Sequence, residues 1–205
     1  MMELTTRQMD IVKAAIAIIA NKGYEKLTTK NLASEIGVTE AALYRHFKSK
    51  RDLVTMVLCY FEFLSCQVIK EIKASECSPI DCIRRFVLNR YELFSANPDL
   101  AKVMFSEELF KNDPAFTGQY QSIMHIHRGE VVSYIQKAQS EGSINSRFDP
   151  VQLFRIIVGS MRLIVSQWNM SEGAFDLQLE GKALLDTIIN MIEEKNEATN
   201  HQNRH

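Results

Sequence analysis

Apolar residues recur along this chain at the three- and four-residue spacing that places side chains on one face of a helix. Between residues 5 and 22 they fall at Ile11, Ala15, Ile18 and Ile19, and Gly23 closes the block. A second block puts Leu32, Ala33 and Ile36 behind Thr28 and Thr29, whose hydroxyls suit a helix N-cap. Gly37 then supplies a stop, because glycine adopts the left-handed conformation that ends helices. Thr39 caps a third helix, running to about residue 47, with Ala42, Leu43 and Phe47 on one face. Two helices that cross closely need a small side chain at the contact, a permissive turn and an apolar anchor beyond it. Ala33, Gly37 and Leu43 meet those demands, which are those of a helix-turn-helix spanning residues 28–47.

The remaining pattern predicts six longer helices. Leu53, Val57, Tyr60 and Leu64 mark a fourth over residues 50–75, with Ser49 as cap. Four later starts share one signature, a polar cap followed by proline at the first helical position. These are Ser78-Pro79, Asn97-Pro98, Asn112-Asp113-Pro114 and Asp149-Pro150, opening helices to about residues 96, 111, 141 and 169. A ninth runs over residues 175–195, after which the polar tail 196–205 lacks periodicity and is expected to fray. The expectation is an all-α fold of about nine helices, with a three-helix N-terminal unit at residues 5–65 and a larger body at 66–195.

Composition narrows the class. With 8 Gly and 4 Pro in 205 residues the chain has little turn punctuation, and 46% hydrophobic with 24% charged residues is ordinary for a soluble globular protein. No basic-then-apolar leader and no apolar run of about 18 residues is apparent, so a cytoplasmic protein without a membrane role is expected. Cys59, Cys66, Cys77 and Cys82 fit reduced thiols, and their spacings match no zinc pattern. The net charge is −1, yet residues 1–52 carry nine Lys/Arg against six Asp/Glu. A mildly basic end on an acidic body suits a protein that presents that end to phosphates.

The run from Gly23 to Leu53, GYEKLTTKNLASEIGVTEAALYRHFKSKRDL, closely resembles the DNA-binding domain of the TetR family of bacterial transcriptional regulators. The resemblance rests on Gly23-Tyr24, the paired threonines, Leu32-Ala33, Gly37-Val38-Thr39, Leu43-Tyr44-Arg45-His46-Phe47 and Ser49-Lys50 before Leu53. It implies a helix-turn-helix DNA-binding domain at residues 5–65 and a ligand-binding and dimerisation domain at 66–195. The third helix would enter the major groove, where Thr39, Glu40, Ala41 and Ala42 meet base edges. A glutamate can accept from a cytosine amino group and an alanine can meet a thymine methyl. Tyr44, Arg45, His46 and Lys50, with Thr29 and Lys30, would hold phosphates and so fix register. Leu43 and Phe47 are assigned to the core.

In that family the middle helices enclose an effector pocket. Residues 90–128 are rich in aromatics and Met, and Arg90, Phe94, Met104, Phe105, Phe116, Met124, His125 and Arg128 are the candidate ligand-binding residues. An apolar lining with a few polar groups is what such pockets require. The last two helices, residues 149–195, are apolar over so much of their circumference that burial on several sides is expected. Pairing them with a second copy gives a homodimer, and hence a near-palindromic operator on double-stranded DNA. The function implied is a repressor released by a hydrophobic or amphipathic small molecule. A nucleoid-associated DNA-binding factor whose body binds a protein partner is the alternative.

Catalytic chemistry finds no support. His125, His127 and Glu130 come nearest to a metal cluster, but residues two apart point to different helix faces. No phosphate loop or nucleophile elbow occurs. No catalytic residue, metal ligand or cofactor is expected.

Overall fold

The computed structural model describes residues 4–111 and 113–193, which form ten α-helices and a 3-10 turn. α1 (Thr6–Lys22) opens with a capping box in which Thr5 and Gln8 satisfy each other's backbone N–H groups, and it ends at Gly23. A 3-10 turn (Tyr24–Lys26) leads to α2 (Thr29–Glu35) and α3 (Glu40–Leu43). α4 (Lys50–Ala74) and α5 (Pro79–Ala96) follow. Next come α6 (Pro98–Met104), α7 (Glu107–Lys111) and α8 (Pro114–Ser140), then α9 (Pro150–Met170) and α10 (Leu177–Ile192). The expected Asn112 cap, the end of the ninth predicted helix and the tail 196–205 lie outside the described residues.

Three expectations need correction. The helix expected over residues 97–111 is broken into α6 and α7, because the chain turns at Phe105, whose ring packs on Phe94 at 5.2 Å. Asn97 precedes α6 without capping it; its side-chain amide donates instead to the Leu93 carbonyl at the end of α5, 2.9 Å away. α4 is also long and apolar enough to cross a membrane, since Glu62 is the one charged residue between Asp52 and Lys70. Its apolar side chains are used within the fold: Leu53, Val54, Val57, Leu58 and Phe61 are all buried.

α1 lies against α2, α4 and α6, so the N-terminal helices and the body share a seam. Within the body, α5 packs on α8 and α10, and α9 on α8 and α10. At the α5–α10 contact, a Cβ built on Gly181 would sit 2.7 Å from the ring of buried Tyr91. The helix can lie against that ring only because position 181 lacks a side chain. Within the chain, a Cβ on Gly159 of α9 would meet nothing within 4 Å.

Candidate functional site

The helix-turn-helix is assembled by local chemistry. Thr28 Oγ1 accepts from the Asn31 N–H at 3.1 Å and Thr39 Oγ1 from the Ala42 N–H at 3.2 Å, so each threonine opens its helix. Gly37 takes φ +69°, and the Val38 N–H reaches back to the Ala33 carbonyl at 3.0 Å, the six-to-one bond of a glycine-terminated helix. Leu32, Ala33, Leu43 and Phe47 are buried between the two helices and α1.

The recognition element is shorter than the expected span of residues 39–47. Regular helix ends at Leu43, whose carbonyl takes both the His46 N–H at 2.8 Å and the Phe47 N–H at 3.0 Å. The last turn is thereby tightened. Thr39, Glu40, Ala41, Tyr44, Arg45 and His46 are exposed, Ala42 is half-buried, and Tyr44 is 54% exposed. On α2, Lys30 is exposed and Thr29 half-buried. Thr29 Oγ1 donates to Glu40 Oε2 at 2.7 Å, joining the starts of the two helices. Lys50 sits at the start of α4 with its ammonium 3.7 Å from the centroid of the Tyr24 ring and 3.9 Å from Glu25. A cation over a ring face is attracted to it, so this ammonium is held in place.

The body encloses a small apolar cavity of about 40 Å³. Five of the expected ligand residues line it: Arg90, Phe94, Met104, Phe105 and Met124. Phe116 is buried elsewhere in the core, and His125 and Arg128 are exposed on the outer side of α8. None of the three lines the cavity, toward which α8 turns the face of Tyr120 and Met124. That face carries His127, which the sequence suggested only as a metal ligand. Its signal was legible: Ile123 and Val131, four residues either side, are both buried. Phe61, Phe86, Tyr120, Met161 and Arg162 also line the space, and they had no comparable signal.

The cavity's electrostatics are one-sided. Arg90 is 2% exposed, donates to Ser65 Oγ at 2.9 Å and to Asn89 Oδ1, and lies over the Phe86 ring at 5.6 Å. Burial lowers its pKa to about 10, which leaves it charged at neutral pH. Among the described residues its Nε has no partner, and no carboxylate lines the cavity. His127 packs edge-on against Phe61 and Phe86 at 6.0 and 5.4 Å. Burial first, and the Arg90 charge second, push its pKa down to about 3, so it is neutral, and its Nε2 is also unpartnered. Arg162 enters from α9, donating to the Tyr120 hydroxyl at 2.9 Å and lying over the Phe105 ring at 5.1 Å. An anion would find donors here and no competing acid. The present volume admits little more than a water molecule, so a larger guest has to part these side chains.

Residues 11–57 match the family described as bacterial regulatory proteins, tetR family, and residues 62–193 match the C-terminal region of YsiA-like proteins. The probable acrEF/envCD operon repressor of Escherichia coli strain K12 is 25% identical over 193 residues, covering 92% of this chain and 87% of its own length. The nucleoid occlusion factor SlmA of Marinobacter nauticus is 28% identical over 148 residues, covering 71% of this chain and 72% of its own. Among solved structures, the transcriptional regulator FadR from Bacillus subtilis, in complex with stearoyl-CoA, superposes with a TM-score of 0.75 at 20% identity. That superposition covers 90% of this chain and 98% of the other, a likeness of fold.

Proposed function

The chain belongs to the TetR family of bacterial transcriptional regulators, and from that membership we propose that it is a homodimeric repressor released from its operator by an apolar, acidic small molecule. Residues 5–65 act as the DNA-binding domain and residues 66–195 as the ligand-binding and dimerisation domain. α3 and the turn after it enter the major groove. Thr39, Glu40, Ala41 and Ala42 meet base edges; Glu40 keeps Oε1 for a base while Oε2 is held by Thr29. Thr29, Lys30, Tyr44, Arg45, His46 and Lys50 engage phosphates, and the ring beneath Lys50 positions its ammonium before DNA arrives.

Five of the six exposed large apolar side chains among the described residues support the dimer: Ile156, Leu163, Met170, Leu179 and Met191 lie on α9 and α10. The α9 members recur every seven residues, the spacing of a seam between packed helices. Such a dimer presents two recognition elements to one face of the duplex in the cytoplasm. No catalysis is assigned to this chain.

One observation carries the ligand class. Arg90 is a buried, charged side chain at an apolar cavity, with a hydroxyl, an amide and a ring for company and no acid among the described residues that line it. Burying a charge without a counter-ion is unfavourable by several kcal/mol, and an entering carboxylate or phosphate would relieve it. The stearoyl-CoA held by the structurally similar FadR fits that chemistry, whereas a cationic dye does not.

Selection of bound sequences from a random duplex library tests the DNA half. The expected result is one near-palindrome with half-sites about 34–36 Å apart, bound by two chains. Recovery of many unrelated chromosomal sites, with no response to ligand, would instead favour the nucleoid-associated reading that the likeness to SlmA raises.

A further inference from the structure

The corner between α4 and α5 carries two thiols outside the cavity. Cys77 immediately precedes Ser78, the cap of α5, and Cys82 lies one turn inside that helix. Cys82 is buried, and its Sγ turns back to within 3.7 Å of the Cys77 carbonyl oxygen. Cys77 is half-buried, and its Sγ lies 3.2 Å from Ser75 Oγ, which also donates to the Ile72 carbonyl at 2.7 Å. Both cysteines line an open groove of about 520 Å³, together with Lys73, Glu130, Tyr134 and Lys137. Tyr134 is 5% exposed, and its hydroxyl, in the wall of the same groove, has no hydrogen-bond partner among the described residues.

We propose that Cys77 and Cys82 form a hydroperoxide-oxidisable pair that closes to an intramolecular disulfide. The Cys77 thiolate attacks one peroxide oxygen: an S–O bond forms, the O–O bond breaks, and hydroxide leaves. Cys82 sulfur then attacks the sulfenic acid. The S–S bond forms, the S–O bond breaks, and the departing hydroxide combines with the Cys82 proton as water. Two thiols are oxidised and one hydroperoxide is reduced. Tyr134 supplies a free O–H donor for the sulfenic oxygen between the two steps.

The surroundings assign the roles. Burial raises the Cys77 thiol, but hydrogen bonds with Cys82 and Ser75 and the nearby Arg85 charge outweigh it and hold the thiol below its ordinary value. Cys82 is pushed up to about 12 by burial, by its hydrogen bond to Cys77 and by the charge there. The thiolate is the nucleophile, so Cys77 reacts first. Conversion to a neutral sulfenic acid removes the charge that opposes ionisation of Cys82.

Trypsin places both residues in one peptide, 74–84, between Lys73 and Arg84. The reduced full-length protein is treated with hydrogen peroxide, alkylated, digested and weighed. Expected is an unalkylated 74–84 peptide lighter by two hydrogens, regenerated by dithiothreitol, while Cys59 and Cys66 remain alkylated. In Cys82→Ser the first step survives and the second is lost, so Cys77 is trapped by dimedone. A 74–84 peptide that stays doubly alkylated while Cys59 or Cys66 oxidises would overturn the proposal, as would disulfides only between chains.

Discussion

At the scale of single residues, the cavity holds a titratable group with a clear signature. His127 is neutral in the fold, with a pKa near 3 against 6.5 for the free side chain. Below pH 6.5 the unfolded chain therefore binds a proton that the folded chain refuses. The contribution is fully present above pH 6.5 and is lost as pH falls toward 3, at up to about 1.4 kcal/mol per pH unit. His127→Leu removes this dependence. Denaturant melts at pH 7.5 and pH 5 should show the variant gaining on wild type at the lower pH; equal gaps at both would refute the assignment. Gly181 makes a second prediction. Gly181→Ala must displace the Tyr91 ring from a filled core, and overpacking of that kind destabilises by about 1–3 kcal/mol. The midpoint of thermal unfolding should fall by about 2–4 °C for each kcal/mol of stability removed.

At the scale of elements, groups that hold phosphates can be told from those that read bases by salt. Tyr44→Ala and Lys50→Ala should each weaken binding to operator and unrelated DNA alike. Lys50→Ala, which removes a charge, should also flatten the dependence of log K on log salt by about 0.9, whereas Tyr44→Ala, which removes a neutral hydroxyl, should leave that slope unchanged. Unchanged affinity in either variant would remove that residue from the anchor. Element boundaries show what the sequence can reveal. Ser78-Pro79 and Asp149-Pro150 start helices where expected because cap and proline act within a few residues. Thr39 was legible for the same reason. The break at Phe105 was not, since its ring settles against Phe94 of α5 and Arg162 of the distant α9. On α8 the apolar Ile123 and Val131, four residues either side, marked the face of His127, but which side chains of α4, α5 and α9 meet it at the cavity awaits the packing of those helices. Gly181 and Gly159 illustrate the same limit, two helical glycines alike in sequence and opposite in surroundings.

At the scale of the whole molecule, the proposed near-palindromic operator calls for two chains. Leu163→Asp puts a charge in the middle of the exposed α9 ridge without touching the core. Sedimentation velocity should report a monomer with unchanged helix content by circular dichroism, and operator affinity should collapse. A variant that stays dimeric would place the interface elsewhere. Communication between cavity and DNA has a structural route, because α6, which brings Met104 to the cavity, also packs against α1. On the proposed reading, parting the cavity's side chains to admit a guest would move the helix that the N-terminal module leans on. A ligand shifts such an equilibrium only by binding one state better than the other.

Operator affinity across an effector titration tests that coupling most directly. The effector is the apolar acid, among fatty acids, acyl thioesters and aromatic acids, that best stabilises the protein against heat. Wild type should release the operator with an affinity loss of about 5–150-fold. Arg90→Met, which keeps the bulk of the buried side chain and removes its charge, should bind operator normally and respond little. An acid that binds the wild-type protein in calorimetry yet leaves its operator affinity unchanged would contradict the coupling between cavity and DNA.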